Sequence, residues 1–236
     1  MRSFYILLFF VFSFNYSHLS AHQQQRTALI QSMDKLLDLI KPYLPENPVI
    51  VEAGAFDGGD SVLLAKFWPK GHVYSFEPVP ELYNLSLKNI SRCGNIKLYQ
   101  KALSDVTGRS IFYVSSQDTS GTWPSASSSL LPPKEHLIYH PQTKFPRTIE
   151  VETISLDDWA SNEGVSKVDF FWLDMQGYEL NTLQVSELAL KASVIFTEVL
   201  FVEAYAGQYL YADTVKWMNE HGFKLLAVDF DESNLT

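Results

Sequence analysis

The chain has 236 residues, 46% hydrophobic and 19% charged, enough apolar surface for one packed domain and too much for a disordered chain. A formal net charge of −9 argues against a nucleic-acid backbone as ligand, because phosphate binding needs a basic stripe. The single cysteine, Cys93, excludes an internal disulfide and a cysteine zinc cluster, and its Ser91-Arg92-Cys93-Gly94-Asn95 setting reads as a turn rather than a nucleophile's.

Residues 1–21 begin with Met1-Arg2 and a short apolar run from Phe4 to Phe12, then loosen toward small residues near Ala21. About 11 apolar residues are too few to span a bilayer, and the pattern is that of a secretory leader. An uncleaved membrane tether and a start codon set too early, with Met33 a later one, stay open. Residues 22–47 are expected to hold one amphipathic helix, Arg26 to Tyr43, with Leu29, Met33, Leu36, Leu37 and Ile40 on its apolar face. Pro42 and Pro45 end it, and it either packs on the main domain or covers its mouth.

Residues 48–236 form that main domain. Val49 to Ala53 reads as a buried strand, Gly54 to Gly59 as a glycine turn, and a helix begins near Asp60 or Ser61. Strand, turn and helix start aim backbone N–H groups at a ligand with no Cβ in the way. The residues placed beside that ligand are Glu52, Gly54, Ala55, Asp57, Gly58 and Ser61. The spacing is acid-x-G-x-x-x-G rather than the G-x-G-x-x-G of dinucleotide sites, so a pyrophosphate is a poor fit. It is the spacing used for S-adenosylmethionine, which carries an ammonium and a sulfonium. The next strand, His72 to Phe76, ends in Glu77, about 20 residues past the turn, where a ribose diol is held in doubly wound sheets.

A helix over 79–91 with Pro80 in its first turn and a strand over 95–100 follow. Ala102 and Asp105 then stand where the adenine is expected, although Asp105-Val106-Thr107-Gly108 equally reads as a hairpin turn into Ser110 to Val114. Residues 115–147 are a lid-like insert rich in Ser, Thr and Gly, with Trp123, His136, Tyr139 and His140. An irregular stretch of roughly 30 residues inside a compact domain is usually a functional lid or a disordered insert, and its aromatics and histidines favour a substrate-facing lid. His136 and His140 are four apart but lack a third ligand, so no metal site is expected.

Arg147 to Ile154 alternates as a half-buried strand, and Ser155 caps a short helix. Val168 to Leu173 is a buried strand that delivers Asp174 at its tip, followed by Gly177 and Glu179. Ala192 to Thr197 is another, ending in Glu198. A helix over 208–221 closes at Gly222, and Phe223 to Phe230 is the last strand.

Taken together, Glu52-x-Gly54-x-x-x-Gly58, Phe76-Glu77-Pro78, Ala102-Leu103-Ser104-Asp105, Ser155-Leu156-Asp157-Asp158-Trp159 and Asp174-Met175-Gln176-Gly177-Tyr178-Glu179 resemble the FkbM-type methyltransferases over most of residues 48–230. The resemblance implies an α/β, doubly wound, mostly parallel sheet with helices on both faces. It implies S-adenosylmethionine as cofactor and O-methylation of a hydroxyl on a sugar or other small molecule. It matches Glu52 and Gly54 to the first cofactor motif, Glu77 to the ribose acid, Asp105 to the adenine-side acid and Asp174 to the acid beside the methyl group. Glu179 matches the family's second acid after its D-V-E-G type motif, in which this chain has Met175-Gln176 in place of the usual Val-Glu. That Gln176 puts a metal-dependent or two-carboxylate mechanism in doubt. The chain stops at Asn234-Leu235-Thr236, where the family commonly continues into one more antiparallel strand, so six strands or a clipped sequence is expected.

An alcohol must lose its proton during methyl transfer, and Asp174 is the expected general base, with Glu198 or Glu179 behind it and His136 or His140 on the lid as substitutes. Two other readings remain: a nicotinamide-dependent oxidoreductase, against which the glycine spacing speaks, and a non-catalytic exported binding protein on the same fold. A cytosolic cofactor sits awkwardly with a secretory leader, so the chain is expected to be exported, tethered or cytoplasmic according to how residues 1–21 are used.

Overall fold

The computed structural model describes residues 4–10, 28–30, 33–118 and 120–230. A strand, β1 (Phe4–Phe10), comes first, then a short strand β2 (Ala28–Ile30) and helix α1 (Met33–Ile40), which runs into a 3₁₀ turn at Lys41–Tyr43. The expected 26–43 helix is therefore shorter than its apolar spacing suggested; residues 26, 27, 31 and 32 lie outside the described residues. Leu36, Leu37 and Ile40 are fully buried, so α1 is a packing helix.

The central unit runs β3 (Val49–Ala53), α2 (Gly59–Phe67), β4 (His72–Phe76), α3 (Pro80–Ile90) and β5 (Ile96–Tyr99). After an excursion through β6 (Ala102–Ser104), β7 (Gly108–Ser116), the four-residue α4 (His136–Tyr139) and β8 (Lys144–Ser155), the chain returns by α5 (Leu156–Glu163). It then forms β9 (Phe170–Leu173), α6 (Glu179–Leu183), β10 (Val194–Val199), α7 (Tyr211–Glu220) and β11 (Phe223–Phe230). Ser155 caps α5 as its sequence predicts, its side chain accepting from Asp158 N at 3.2 Å.

The large sheet has the order β2-β11-β1-β10-β9-β3-β4-β5, and every described pairing in it is parallel. From β3 the chain moves outward to β4 and β5, then returns to the other side of β3 with β9 and β10. The direction of winding thus reverses between β3 and β9, and a crevice opens there at the strands' carboxyl ends. Strand alternation sends Ile50, Phe170 and Trp172 into a core under α1 and α2, and Val51, Phe171 and Leu173 into a second core under α5 and α6. Trp159 of α5 sits in that second core, edge-on to Tyr74 and Phe76 with ring centroids 5.0 and 5.8 Å away.

Phe4–Phe10 belongs to the segment read as a leader or tether, and here it lies parallel between β10 and β11. A strand inside a parallel sheet is apolar along its whole length, which is also the pattern of a leader's middle, so composition cannot separate the two. Residues 1–3 and 11–21 lie outside the described residues. Among the described residues no helix is long and apolar enough to cross a membrane.

A second, three-stranded sheet has the order β6-β8-β7, with β6 parallel and β7 antiparallel to β8. The insert 115–147 is fastened to it. Tyr113 bridges Ser129, Pro133 bridges Tyr205, and the Ser115 hydroxyl reaches Ser125 and Ser128. The serines that made this stretch read as irregular are what pin it down.

Candidate active site

The turn after β3 is tied down by Gly54 N and Ala55 N, which donate to the Phe76 carbonyl at 3.1 and 3.0 Å. Gly54 has φ +90°, and a Cβ there would overlap the carbonyl oxygen of Asp174. Gly58, at φ +82°, packs against α3, where a Cβ would stand 2.5 Å from Ser86 Oγ. Both positions demand glycine, the first so that β9 can approach and the second so that α3 can.

In front of this turn lies a cavity of about 350 Å³. Gly54, Ala55, Asp57 and Asp60 line it from the turn and the start of α2, Glu77 from the end of β4, and Asp174 from the end of β9. The opposite chemistry comes from Leu82, Ala102, Leu103, Phe112 and Leu130, an apolar group belonging largely to one hydrophobic cluster. Ser125, Ala126 and Ser128 contribute from the insert, so the segment expected to be a lid does face the site. Lys101 is the cation among the lining residues, and it is paired with Glu152. Four carboxylates beside an apolar wall suit a nucleoside that carries positive charge and repel a pyrophosphate.

The geometry of individual acids is specific. Glu77 is 4% exposed; its Oε2 accepts from Phe56 N at 2.9 Å and its Oε1 from Val79 N at 2.8 Å. Burial pushes its carboxyl up to about 8 against those two N–H donors. Asp60 is also raised, by burial and then by the nearby Asp174 and Asp57.

Not every expected contact residue reaches the cavity. Glu52 is fully buried behind the turn, where its Oε2 accepts from Ser61 Oγ and, at 2.6 Å, from Ser75 Oγ. That bridge ties β3 to α2 and β4, and burial raises the Glu52 carboxyl to about 7. Glu52, Gly58 and Ser61 therefore build the wall rather than line it. Asp105 is one residue removed: its Oδ1 accepts from the hydroxyl of Tyr178, and Tyr178 is the lining residue. The histidines of the insert are elsewhere. His136 is buried against Phe145 and Tyr205, ring centroids 5.5 and 5.3 Å away, and burial lowers it to about 4. His140 packs beside it at 4.9 Å, and neither lines the cavity. Trp123 is 51% exposed and outside the lining, on a loop whose N–H groups of Thr122 and Trp123 donate to Asp118 at 2.9 and 3.0 Å.

Behind Asp174 stand two further acids. Glu179 and Glu198 are 6% and 4% exposed, and carboxylate oxygens of Asp174, Glu179 and Glu198 all lie within 4.8 Å of one another. All three carboxyls are raised, chiefly by burial; Glu179 stands at about 7, and burial followed by the charge of Asp174 pushes Glu198 well above the usual range. The Gln176 amide donating to Asp174 and the charge of Asp174 beside Glu198 both favour Asp174 as the ionised partner and Glu198 as the one that keeps the proton. Glu179 Oε1 accepts from Met175 N at 2.7 Å.

Sequence reasoning missed Phe56, Asp60, Lys101, Phe112, Met175 and Tyr178 as lining residues. Asp60 could have been found, being the acid in the first turn of α2. The rest carry no local signal.

Compared with known proteins, residues 52–225 match the methyltransferase FkbM domain. A 2-O-methyltransferase, NoeI, of Sinorhizobium fredii is 34% identical over 163 residues, covering 69% of this chain and 67% of that protein. The methyltransferase sdnD of Sordaria araneosa is 25% identical over 169 residues, covering 60% and 61%. The chain thus spans about two thirds of the length of the curated relatives it matches. Among solved structures, an rRNA methylase of Streptococcus thermophilus overlaps 32% of this chain and 46% of its own, at 20% identity and a TM-score of 0.27.

Proposed function

The chain belongs to the FkbM methyltransferase family, and we propose that it moves a methyl group from S-adenosylmethionine to a hydroxyl of a small molecule, a sugar or a similar polar acceptor. The observation that carries the reading is Asp174: it directly follows β9 at the reversal of winding and lines the same cavity as the Gly54 turn and Glu77. The nicotinamide reading falls with the family assignment.

The lining residues fit the cofactor. Asp57, Asp60 and Asp174 would balance the ammonium and sulfonium, Glu77 would hold the ribose hydroxyls, and Ala102, Leu103 and Phe112 would border the adenine. When bound, S-adenosylmethionine supplies a sulfonium-activated methyl carbon for in-line displacement by the acceptor oxygen. Asp174 would take the hydroxyl proton as the new O–C bond forms and the methyl carbon–sulfur bond breaks, its electron pair passing to the sulfur. Glu198, holding its own proton, leaves Asp174 ionised for that purpose. Ser125, Ala126, Ser128 and Leu130 would exclude water from above.

The test is isothermal titration of S-adenosylmethionine into the protein and a Glu77→Ala variant, followed by labelled-methyl transfer to a panel of hydroxylated acceptors. Micromolar binding lost in Glu77→Ala, with methyl incorporation lost in Asp174→Asn, is the expected result. A folded sample that does not bind the cofactor would overturn the reading. Binding without turnover on any acceptor would instead mark a non-catalytic binder on this fold.

A further inference from the structure

Gln176 adopts φ +54°, a left-handed conformation that strains a non-glycine residue. The side chain so placed lies between two acids. Its Nε2 donates to Asp174 Oδ1 at 2.7 Å and to Glu198 Oε2 at 2.9 Å. Its Oε1 faces the Tyr205 hydroxyl at 2.7 Å, and that hydroxyl also reaches the Ser127 carbonyl at 2.9 Å. Its main-chain carbonyl accepts from Ser129 Oγ at 2.8 Å. Turning the amide over would set its oxygen against two carboxyl oxygens, so the acids themselves decide its orientation.

Three carboxyl groups as close as Asp174, Glu179 and Glu198 repel one another unless protons, hydrogen-bond donors or a cation offset their charge. A divalent ion of the magnesium or manganese kind coordinates through bare oxygen lone pairs. Here one oxygen of each acid, Asp174 Oδ1 and Glu198 Oε2, already accepts from the nitrogen of the same amide. The donors also fix geometry: a planar amide with two hydrogens sets the separation of the two carboxyls, and its attachments to Ser129 and Tyr205 hold the amide itself.

We propose that Gln176 is a positioning residue standing in for a divalent cation, holding Asp174 and Glu198 at their working separation so that methyl transfer by this chain needs no metal. The catalytic half of this rests on Asp174 as the base; the cation half does not. It follows that Gln176→Glu, which removes both donors and adds a fourth carboxyl, makes this cluster bind a divalent cation more tightly than the native one does.

The experiment titrates Mn²⁺ into native protein, Gln176→Glu and Gln176→Ala, reading free Mn²⁺ by electron paramagnetic resonance. S-adenosylmethionine affinity by calorimetry is the folding control, and methyl transfer is run with and without EDTA. The expected results are a native rate unchanged by EDTA and Mn²⁺ binding in Gln176→Glu about tenfold or more tighter than in the native protein. In Gln176→Ala, kcat falls on the order of 10- to 100-fold with cofactor affinity retained, and the acid limb of its pH profile moves. Tight Mn²⁺ binding by the native protein, a native rate abolished by EDTA, or a native-like kcat and pH profile in Gln176→Ala would each overturn the proposal. If no form turns over any acceptor, the manganese titration still decides it, and that failure belongs to the methyl-transfer reading alone.

Discussion

Gly54 and Asp174 lie against each other across the β3–β9 junction: Asp174 N donates to the Ala53 carbonyl at 3.0 Å, and the Asp174 carbonyl occupies the space a Cβ on Gly54 would need. The floor of the cavity and its expected base are thus one packing unit. Gly54→Ala must open that junction and also strain a residue held at φ +90°. The expected cost is on the order of 3 kcal/mol or more, with loss of cofactor binding even where the protein still folds. Thermal unfolding and cofactor calorimetry on the same sample check both parts.

Glu77 anchors the turn through Phe56 N and Val79 N while facing the cavity. Glu77→Gln keeps the size but replaces one acceptor oxygen by an amide NH₂, which then faces a backbone donor. Cofactor affinity is expected to drop about tenfold, on the order of one lost hydrogen bond. A titration that matches the native protein would remove Glu77 from the ribose role.

Asp174→Asn separates binding from chemistry. A lost general base is expected to lower kcat on the order of 10²–10⁴-fold, with a much smaller change in cofactor affinity. The native Asp174 carboxyl is raised from its ordinary 3.8 by burial, and the transfer reaction needs it ionised. The rate should therefore climb with pH through a limb lying above that ordinary value, and the limb should vanish in Asp174→Asn. A pH–rate profile on both proteins measures it.

Stability should move with pH in the opposite direction. Burial raises Glu52 and Glu179 to about 7 and Glu77 to about 8, against 4.5 for an ordinary glutamate. The folded protein holds protons that the unfolded chain has released, so this contribution is complete below about pH 4.5 and is lost as pH rises through 7 and 8. The unfolding midpoint should fall between about pH 5 and pH 8, with a slope near 1.4 kcal/mol per pH unit for each titrating group. Glu77→Gln should flatten the upper part, and calorimetry without cofactor tests it.

The large sheet was legible because its strands are buried on both faces and read as unbroken apolar runs, as at Phe170-Phe171-Trp172-Leu173. The short elements were less so. Ala28–Ile30 is a strand inside a stretch whose Leu29 and Met33 fit helical spacing, because three residues are too few to show a period of two. In the insert, the serine-rich composition suggested an irregular lid, and Ser115, Ser125, Ser128 and Ser129 tie it to β7 and to Gln176. A hydroxyl that finds its partner 10 or 47 residues away leaves no trace in local sequence.

What the sequence determined by itself was the ends of strands. Gly54, Glu77 and Asp174 each directly follow a strand legible in the sequence, and a parallel sheet places every such end at one rim, so their convergence follows from the topology that those strands imply. What only tertiary structure decided was which acids face the ligand and which face each other. Glu52 turned to Ser61 and Ser75, Asp105 to Tyr178, and Glu198 to Gln176, while Asp57, Asp60, Glu77 and Asp174 kept the cavity. A carboxylate's role depends on the donors brought within about 3 Å of it, and those donors come from other elements whose approach is set by packing.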